Sequence, residues 1–273
     1  MRRQSSLARQ LGSAAIAALL AAGLGGCQTM ADVKGALTAK SDSAPAPDTD
    51  PRRSAEAYGD RYRANPRDAD AALRYGVALR ATGQRAQAVA VLEQGSIAHP
   101  TNKAMLAAYG RALSDNGSFQ QAFDVLGRAH SPDNPDWRIL SVQGTALDQL
   151  GRHDEARRYY ASALQIAPNE PSVLSNLGLS YVLSKNLPKA EETLRQAQAT
   201  GRADARVRQN LALAIGLQGR FAEAETIAKG DLPAEEAAAN VAYLKQMLTR
   251  KDTPRTASRN GKPPVVAFDQ AND

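Results

Sequence analysis

The sequence is poor in the residues on which metal sites, disulfides and aromatic cores depend. Among its 273 residues are one cysteine, one tryptophan and three histidines, and aromatic residues make up 5%. A single cysteine excludes an intramolecular disulfide framework and a multi-cysteine metal site. His-x-x-x-His, His-Glu-x-x-His, Gly-x-Ser-x-Gly, Walker and dinucleotide-binding patterns are all missing from the sequence. We therefore predict a protein that is not an enzyme, with no catalytic residue, no metal and no cofactor.

Alanine is abundant instead, and it indicates the fold class. The sequence contains 53 alanines within a hydrophobic fraction of 43%. A chain rich in alanine and poor in aromatic and β-branched residues favours closely packed helices over sheets.

The first 26 residues are predicted to be a lipoprotein signal peptide. Three arginines (Arg2, Arg3 and Arg9) precede an apolar run from Leu11 to Leu24, which is shorter than the ~20 residues that span a bilayer. The run ends in Leu-Gly-Gly-Cys, and Cys27 is the only cysteine. This resembles the bacterial lipobox, which implies acyl chains on Cys27 as the first mature residue. An ordinary signal peptide with an incidental cysteine is the alternative.

The segment that follows Cys27 is low in large apolar residues and is expected to be a flexible tether. Gln28, rather than aspartate, would be the second mature residue, and by resemblance to the enterobacterial sorting rule this favours the outer membrane, facing the periplasm. We predict the following order: signal peptide 1–26, lipidated cysteine and tether 27–51, N-terminal capping helix 52–68, repeats 69–233, C-terminal capping helix 234–250 and disordered tail 251–273.

A period of 34 residues runs through the middle of the chain. Glycine or alanine recurs at this spacing in two columns, Gly76, Gly110, Gly144, Gly178 and Ala212, and Ala88, Ala122, Ala156, Ala190 and Ala224. Apolar residues at spacings of three, four and seven predict two amphipathic helices in each unit. The first helices are predicted over 70–82, 103–116, 137–150, 171–184 and 205–218, and the second over 85–98, 119–130, 153–166, 187–199 and 221–228. Glycine in the turns between them, as at Gly83 and Gly151, ends a helix in the left-handed conformation.

This pattern resembles the tetratricopeptide repeat over residues 69 to about 236. The third unit matches best, at Leu140, Gly144, Leu147, Ala156, Tyr160, Ala163 and Pro168. The resemblance implies an all-α, right-handed superhelical solenoid of about five tetratricopeptide repeats with a C-terminal capping helix.

In that family, the first helix of each unit lines a groove. Transferring the family's groove positions predicts ten partner-binding residues: Arg80, Arg111, Asp115, Arg138, Asp148, Leu179, Val182, Leu183, Leu213 and Leu217. The first five are polar and mixed in sign, and the last five are apolar, which suits a partner helix or strand anchored on leucines and oriented by arginines. The alternative is that the protein's own C-terminal helix covers the leucines with its stripe of Val241, Leu244, Met247 and Leu248.

The order of lipobox, tether, five repeats, capping helix and tail resembles the TadD-like lipoproteins of the tight-adherence (Flp pilus) system. This resemblance implies an assembly factor that acts as a pilotin-like partner of the outer-membrane secretin. A scaffold lipoprotein of another envelope-biogenesis machine remains the alternative. Nucleic acid is not expected as a partner, because removal of the signal peptide lowers the formal net charge from +6 to +3.

Overall fold

The computed structural model describes residues 50–131 and 133–252, with only the backbone for residues 250–252. Regular secondary structure in this part of the chain is entirely helical. The helices are α1 (Pro51–Ala64), α2 (Ala69–Ala81), α3 (Arg85–Ala98), α4 (Lys103–Asp115), α5 (Phe119–Ala129), α6 (Trp137–Gln149), α7 (His153–Ile166), α8 (Pro171–Leu183), α9 (Leu187–Ala199), α10 (Ala205–Leu217), α11 (Phe221–Ala228) and α12 (Ala234–Asp252). Helices α2 to α11 form the five predicted pairs, and their ends lie within one residue of the predicted ends.

Some predictions concern residues that the structure does not describe. The signal peptide, Cys27 and the tether up to residue 49 lie outside the described residues, as does the tail from residue 253 onward. At the borders, α1 begins at Pro51, which was expected in the tether, and α12 continues to Asp252, two residues into the expected tail.

The first helix of every unit begins at a side chain that caps it. The cap residues Asp68, Asn102, Asp136, Glu170 and Asp204 each accept a hydrogen bond from a backbone N–H two or three residues further on. Such a cap satisfies N–H groups that have no partner inside the helix. These residues are 34 apart, so the repeat determines where each first helix starts.

In the first four pairs the helices approach closely because the first helix carries glycine at the contact, and Ala212 takes that place in the fifth pair. A Cβ atom added to Gly178 would lie 2.5 Å from Cγ of Leu194, and one added to Gly144 would lie 2.6 Å from Cε1 of Tyr160. Both partners are almost fully buried. In the first four units, the predicted glycine column is therefore the surface against which the second helix packs.

The turn glycines adopt the predicted conformation. Gly83, Gly117, Gly151 and Gly219 have φ between 76° and 84°, and Lys185 takes the same place in the fourth unit with φ of 63°. A positive φ is strained for a residue with a Cβ atom, so the fourth unit is the exception in this column.

Single helices cover both ends of the stack. Helix α1 packs on α2, where the rings of Tyr62 and Tyr75 lie 5.6 Å apart. Helix α12 contacts both helices of the fifth unit. Its Leu244 is 7% exposed and fills the space beside Gly216, where an added Cβ would lie 2.5 Å from Cδ2 of Leu244. The apolar stripe of α12 thus closes the end of the core.

Candidate functional site

The candidate site is the face of the first helices α2, α4, α6, α8 and α10 that carries the predicted groove residues; we call it the groove face. Neighbouring first helices contact each other along the stack, which brings equivalent positions of successive units side by side. Its charged part lies on α2, α4 and α6, and its apolar part lies on α8 and α10.

Arg80 and Asp115 form an ion pair in the charged part. Nε and Nη2 of Arg80 each lie 2.7 Å from Oδ2 of Asp115, and the pair links α2 to α4. Arg80 is the more buried partner, with a side chain that is 23% exposed against 39% for Asp115. The structure thus brings together two predicted residues of opposite charge, and their charges neutralise each other.

Arg111 and Arg138 lie beside this pair. Arg111 is partly buried, and its pKa is lowered first by burial and then by the positive charge of Arg80, against the opposite effect of Asp136. Arg138 is exposed, and its guanidinium lies 4.4 Å from the ring centroid of Trp137. Arg111 is thus the more buried of the two arginines.

Asp148 is not on the groove surface, and the prediction is wrong for this residue. It is 6% exposed and accepts hydrogen bonds from the hydroxyls of Ser180 at 2.7 Å and Tyr160 at 2.9 Å. Nδ1 of His153 lies 2.8 Å from Oδ1 of Asp148, the same oxygen that accepts from Ser180. Burial raises the pKa of Asp148, and the hydrogen bonds from His153, Ser180 and Tyr160 offset only part of that effect. Asp148 therefore joins the third unit to the fourth inside the core.

Four of the five predicted leucine and valine positions keep accessible surface. Leu179, Leu183, Leu213 and Leu217 are partly exposed on α8 and α10. Val182 is 1% exposed, and it packs in the core with Leu211 and Ile215. The prediction is wrong for Val182 for the same reason as for Asp148, since this position of the unit faces the first helix of the next unit.

Two polar contacts on this face were not predicted. Nδ2 of Asn176 donates to Oγ of Ser141 at 3.0 Å, and Nδ2 of Asn210 donates to Oγ of Ser175 at 3.0 Å. They connect α6 to α8 and α8 to α10. The signal was present in the sequence, because the two serines are 34 residues apart and so are the two asparagines.

A small polar cavity of about 90 Å³ opens beside the second of these contacts. It is lined by Ser172, Ser175, Asn176, Asp204, Arg206 and Asn210. The cavity borders the apolar part of the groove face and offers hydroxyl, amide and guanidinium groups next to the leucines.

Metal-binding clusters and membrane-spanning helices are both missing from the described residues. No group of three or more histidine, cysteine, aspartate or glutamate side chains is placed there to hold a metal ion. Helices long and apolar enough to cross a membrane are likewise not found in residues 50–131 and 133–252.

Comparison with known proteins supports the repeat architecture. Residues 147–214 and 205–229 match descriptions of the tetratricopeptide repeat. A comparison with curated protein sequences finds no match.

Several solved structures share the fold. The Cut9–Hcn1 hetero-tetramer of APC/C superposes with a TM-score of 0.58 at 16% identity over 72% of this chain, which spans only 40% of that chain. PilW gives a TM-score of 0.60 at 18% identity, covering 70% of this chain and 90% of PilW. PilF of Pseudomonas aeruginosa gives 0.52 at 19% identity, covering 69% and 94%. The described part of the chain therefore forms a tetratricopeptide-repeat solenoid.

Proposed function

We propose that the protein is a non-catalytic interaction scaffold whose groove face binds a segment of a partner protein. The observation that carries this proposal is the set of four partly exposed leucines on adjacent helices, Leu179, Leu183, Leu213 and Leu217. Adjoining apolar side chains on a soluble domain mark a protein interaction surface. Glycine contacts pack α8 on α9 at Gly178 and α10 on α12 at Gly216, so the groove face is a preformed surface for a helix or an extended strand.

We further propose that Cys27 carries acyl chains that anchor this scaffold in the outer membrane, facing the periplasm. The lipobox residues up to Cys27 and the uncharged run before them support this anchor. The tether from Gln28 to Thr49 would have a root-mean-square span of about 25 Å as a flexible chain. The groove face would then contact partners near the membrane while the acyl chains on Cys27 remain in the bilayer.

The partner we propose is the secretin or another component of Flp-type (tight-adherence) pilus assembly, with the protein acting as a pilotin-like partner of the secretin. Support comes from the order of lipobox, tether and five repeats, which resembles the TadD-like lipoproteins. PilW is described as a widely conserved type IV pilus biogenesis factor, and its shared fold is compatible with this role.

The second candidate is a scaffold for another envelope-biogenesis machine. The lipobox and the groove face serve that function equally well, since neither feature is specific to pili. A gene neighbourhood that encodes a secretin and a secretion ATPase would favour the pilus over this alternative.

Site-specific photo-crosslinking in intact envelopes tests the proposal. A photoreactive amino acid is placed at Leu183 or Leu217, and the matched control carries it at Ile97, which is 67% exposed on a second helix. We expect secretin adducts from the two groove positions and none from the control. Adducts with a different envelope protein would support the second candidate. Equal adducts from all three positions would contradict binding at the groove face.

The anchor is tested separately by Cys27→Ser. The variant should leave the membrane fraction after cell breakage, whereas the unmodified chain should stay there. A variant that remains with the membrane would contradict lipid anchoring at Cys27.

A further inference from the structure

Arg111 is a partly buried cation on the charged part of the groove face, and its hydrogen-bonding groups are unused. Within residues 50–131 and 133–252 its guanidinium has neither a hydrogen bond nor an ion pair. A guanidinium carries five N–H donors and stays charged in proteins. Its nitrogen atoms are not among the buried polar atoms without a partner, so these donors remain accessible to an acceptor from outside the protein.

The nearest acids are already engaged. Asp115 accepts from Arg80 at 2.7 Å, and Asp136 caps α6 by accepting from the backbone N–H of Arg138 at 2.7 Å. Three arginines and two aspartates therefore leave one net positive charge around Arg111. Burial lowers the pKa of Arg111, and the positive charge of Arg80 adds to that effect.

We infer that Arg111 binds a side-chain carboxylate, aspartate or glutamate, in the partner segment that lies along the groove face. This inference rests on the proposed function and names the chemistry of its partner. Arginine and carboxylate match in charge and in geometry, because two parallel N–H groups can donate to two oxygens. Arg138, exposed at the start of the next first helix, adds positive charge on the same side.

The repeat also sets the spacing of the partner's residues. Arg111, Leu179 and Leu213 occupy equivalent positions in the second, fourth and fifth units. Packed helices lie about 10 Å apart, so Leu179 is roughly 20 Å and Leu213 roughly 30 Å from Arg111. An extended chain advances about 3.3 Å per residue. A partner segment bound as an extended strand therefore has an acidic residue separated by about six residues from one large apolar residue and by about nine from another.

Selection from a phage library of random 16-residue peptides tests the inference. The bait is the full-length protein in detergent, and the peptides are fused so that their carboxyl ends are not free. We expect selected peptides to carry an acidic residue at the stated spacing. Changing that glutamate to glutamine, or that aspartate to asparagine, should weaken binding about tenfold, the effect of losing a charge-assisted hydrogen bond.

Variants of the protein show whether Arg111 is the group responsible. With Arg111→Gln, the same change in the peptide should alter Kd less than twofold, and Arg111→Lys should keep part of the discrimination. The matched control is Arg158→Gln, an exposed arginine of α7, which should discriminate like the unmodified protein. Circular dichroism confirms that each variant is folded, and Arg111→Lys replaces Arg111→Gln if the latter is not.

The outcomes separate this inference from the proposed function. Selected peptides that bind through apolar residues without any acid, or an Arg111→Gln protein that keeps the tenfold discrimination, would overturn the inference and leave the scaffold intact. Failure to select any peptide would contradict the proposed function, and the inference with it.

Discussion

Units one to three and units four and five carry different chemistry on the same backbone. At equivalent positions of the groove face, Arg111 in the second unit corresponds to Leu179 and Leu213, and Asp115 corresponds to Leu183 and Leu217. The close contacts between helices use other positions, where glycine meets leucine or tyrosine. The groove positions can therefore vary without altering the stack, which is what a binding surface on a repeat scaffold requires.

The difference extends into the core where the two regions meet. In the third unit, buried Tyr160 donates to buried Asp148, whereas the fourth unit has Leu194 and Val182 at the same two positions. A tyrosine hydroxyl placed over Gly144 needs an acceptor, and Asp148 supplies it. The third unit thus fills this part of the core with a hydrogen-bonded polar pair, and the fourth unit fills it with an apolar pair.

The largest loss of stability is expected when the pair of Tyr160 and Asp148 loses its acceptor, Asp148. Asp148→Ala leaves the hydroxyls of Tyr160 and Ser180 buried without this acceptor, which should lower the free energy of unfolding by about 2–4 kcal/mol. Urea denaturation followed by circular dichroism measures the loss.

Converting the third unit to the pattern of the fourth provides the control. Asp148→Val combined with Tyr160→Leu removes donor and acceptor together, so the double variant should recover at least ~1 kcal/mol relative to the sum of the single changes. Strictly additive losses would mean that the two residues do not act as a pair.

The glycine contacts are common to both regions, and a matched pair of substitutions tests them. Gly178→Ala places a methyl group 2.5 Å from Leu194 and should destabilise the protein by about 1–3 kcal/mol. Gly127→Ala adds the same methyl to an exposed helical position whose nearest neighbour is 3.7 Å away, and should stabilise it by about 0.5–1 kcal/mol. Thermal unfolding of both variants should show opposite shifts. Shifts of the same sign would contradict the close-contact role of the glycine column.

A smaller loss of stability is expected when the ion network that links the fourth unit to the fifth is disrupted. Glu191 accepts from Arg220 at 2.7 Å, Gln218 at 2.8 Å and Arg195 at 2.9 Å. Burial alone would raise the pKa of Glu191, but these hydrogen bonds together hold that pKa below its usual value. Since the pKa is lower in the folded state, the stabilisation is present above about pH 4.3 and is lost as the pH falls through the folded pKa.

Glu191→Gln should therefore cost about 0.5–1 kcal/mol at pH 7, with the difference shrinking below about pH 4. Denaturant midpoints from pH 7 to pH 3 measure this. The control is Glu192→Gln on the exposed neighbour, which should change stability by less than about 0.5 kcal/mol. A destabilisation by Glu191→Gln that grows as the pH falls would contradict the stabilising role of the ionised Glu191.

The sequence predicted the helices well because the repeat supplies five copies of each boundary signal. Glycine at the turns and apolar residues at helical spacing placed the ends of α2 to α11 within one residue. The cap column of Asp68 and its equivalents had the same period and was not recognised, since its members are of three residue types.

The groove face was predicted less well because a residue's position within the repeat unit does not alone determine whether its side chain is exposed. Asp148 and Val182 occupy a family groove position, yet the next first helix covers them, and Ser180 is the contact that holds Asp148. Contacts between the first helices of neighbouring units depend on how the units stack, and the sequence pattern of one unit does not determine that stacking. The bonds from Asn176 to Ser141 and from Asn210 to Ser175 were missed for the same reason.

The measurement that tests the central claim most directly is the affinity of the purified protein for the secretin, compared between Leu183→Asp and Ile97→Asp. Both variants place a charge at an apolar surface position, one on the groove face and one on a second helix. The account predicts that Leu183→Asp weakens Kd at least about tenfold, as expected for loss of a central apolar contact, while Ile97→Asp stays within about twofold of the unmodified protein. Equal affinities for the two variants would contradict partner binding at the groove face.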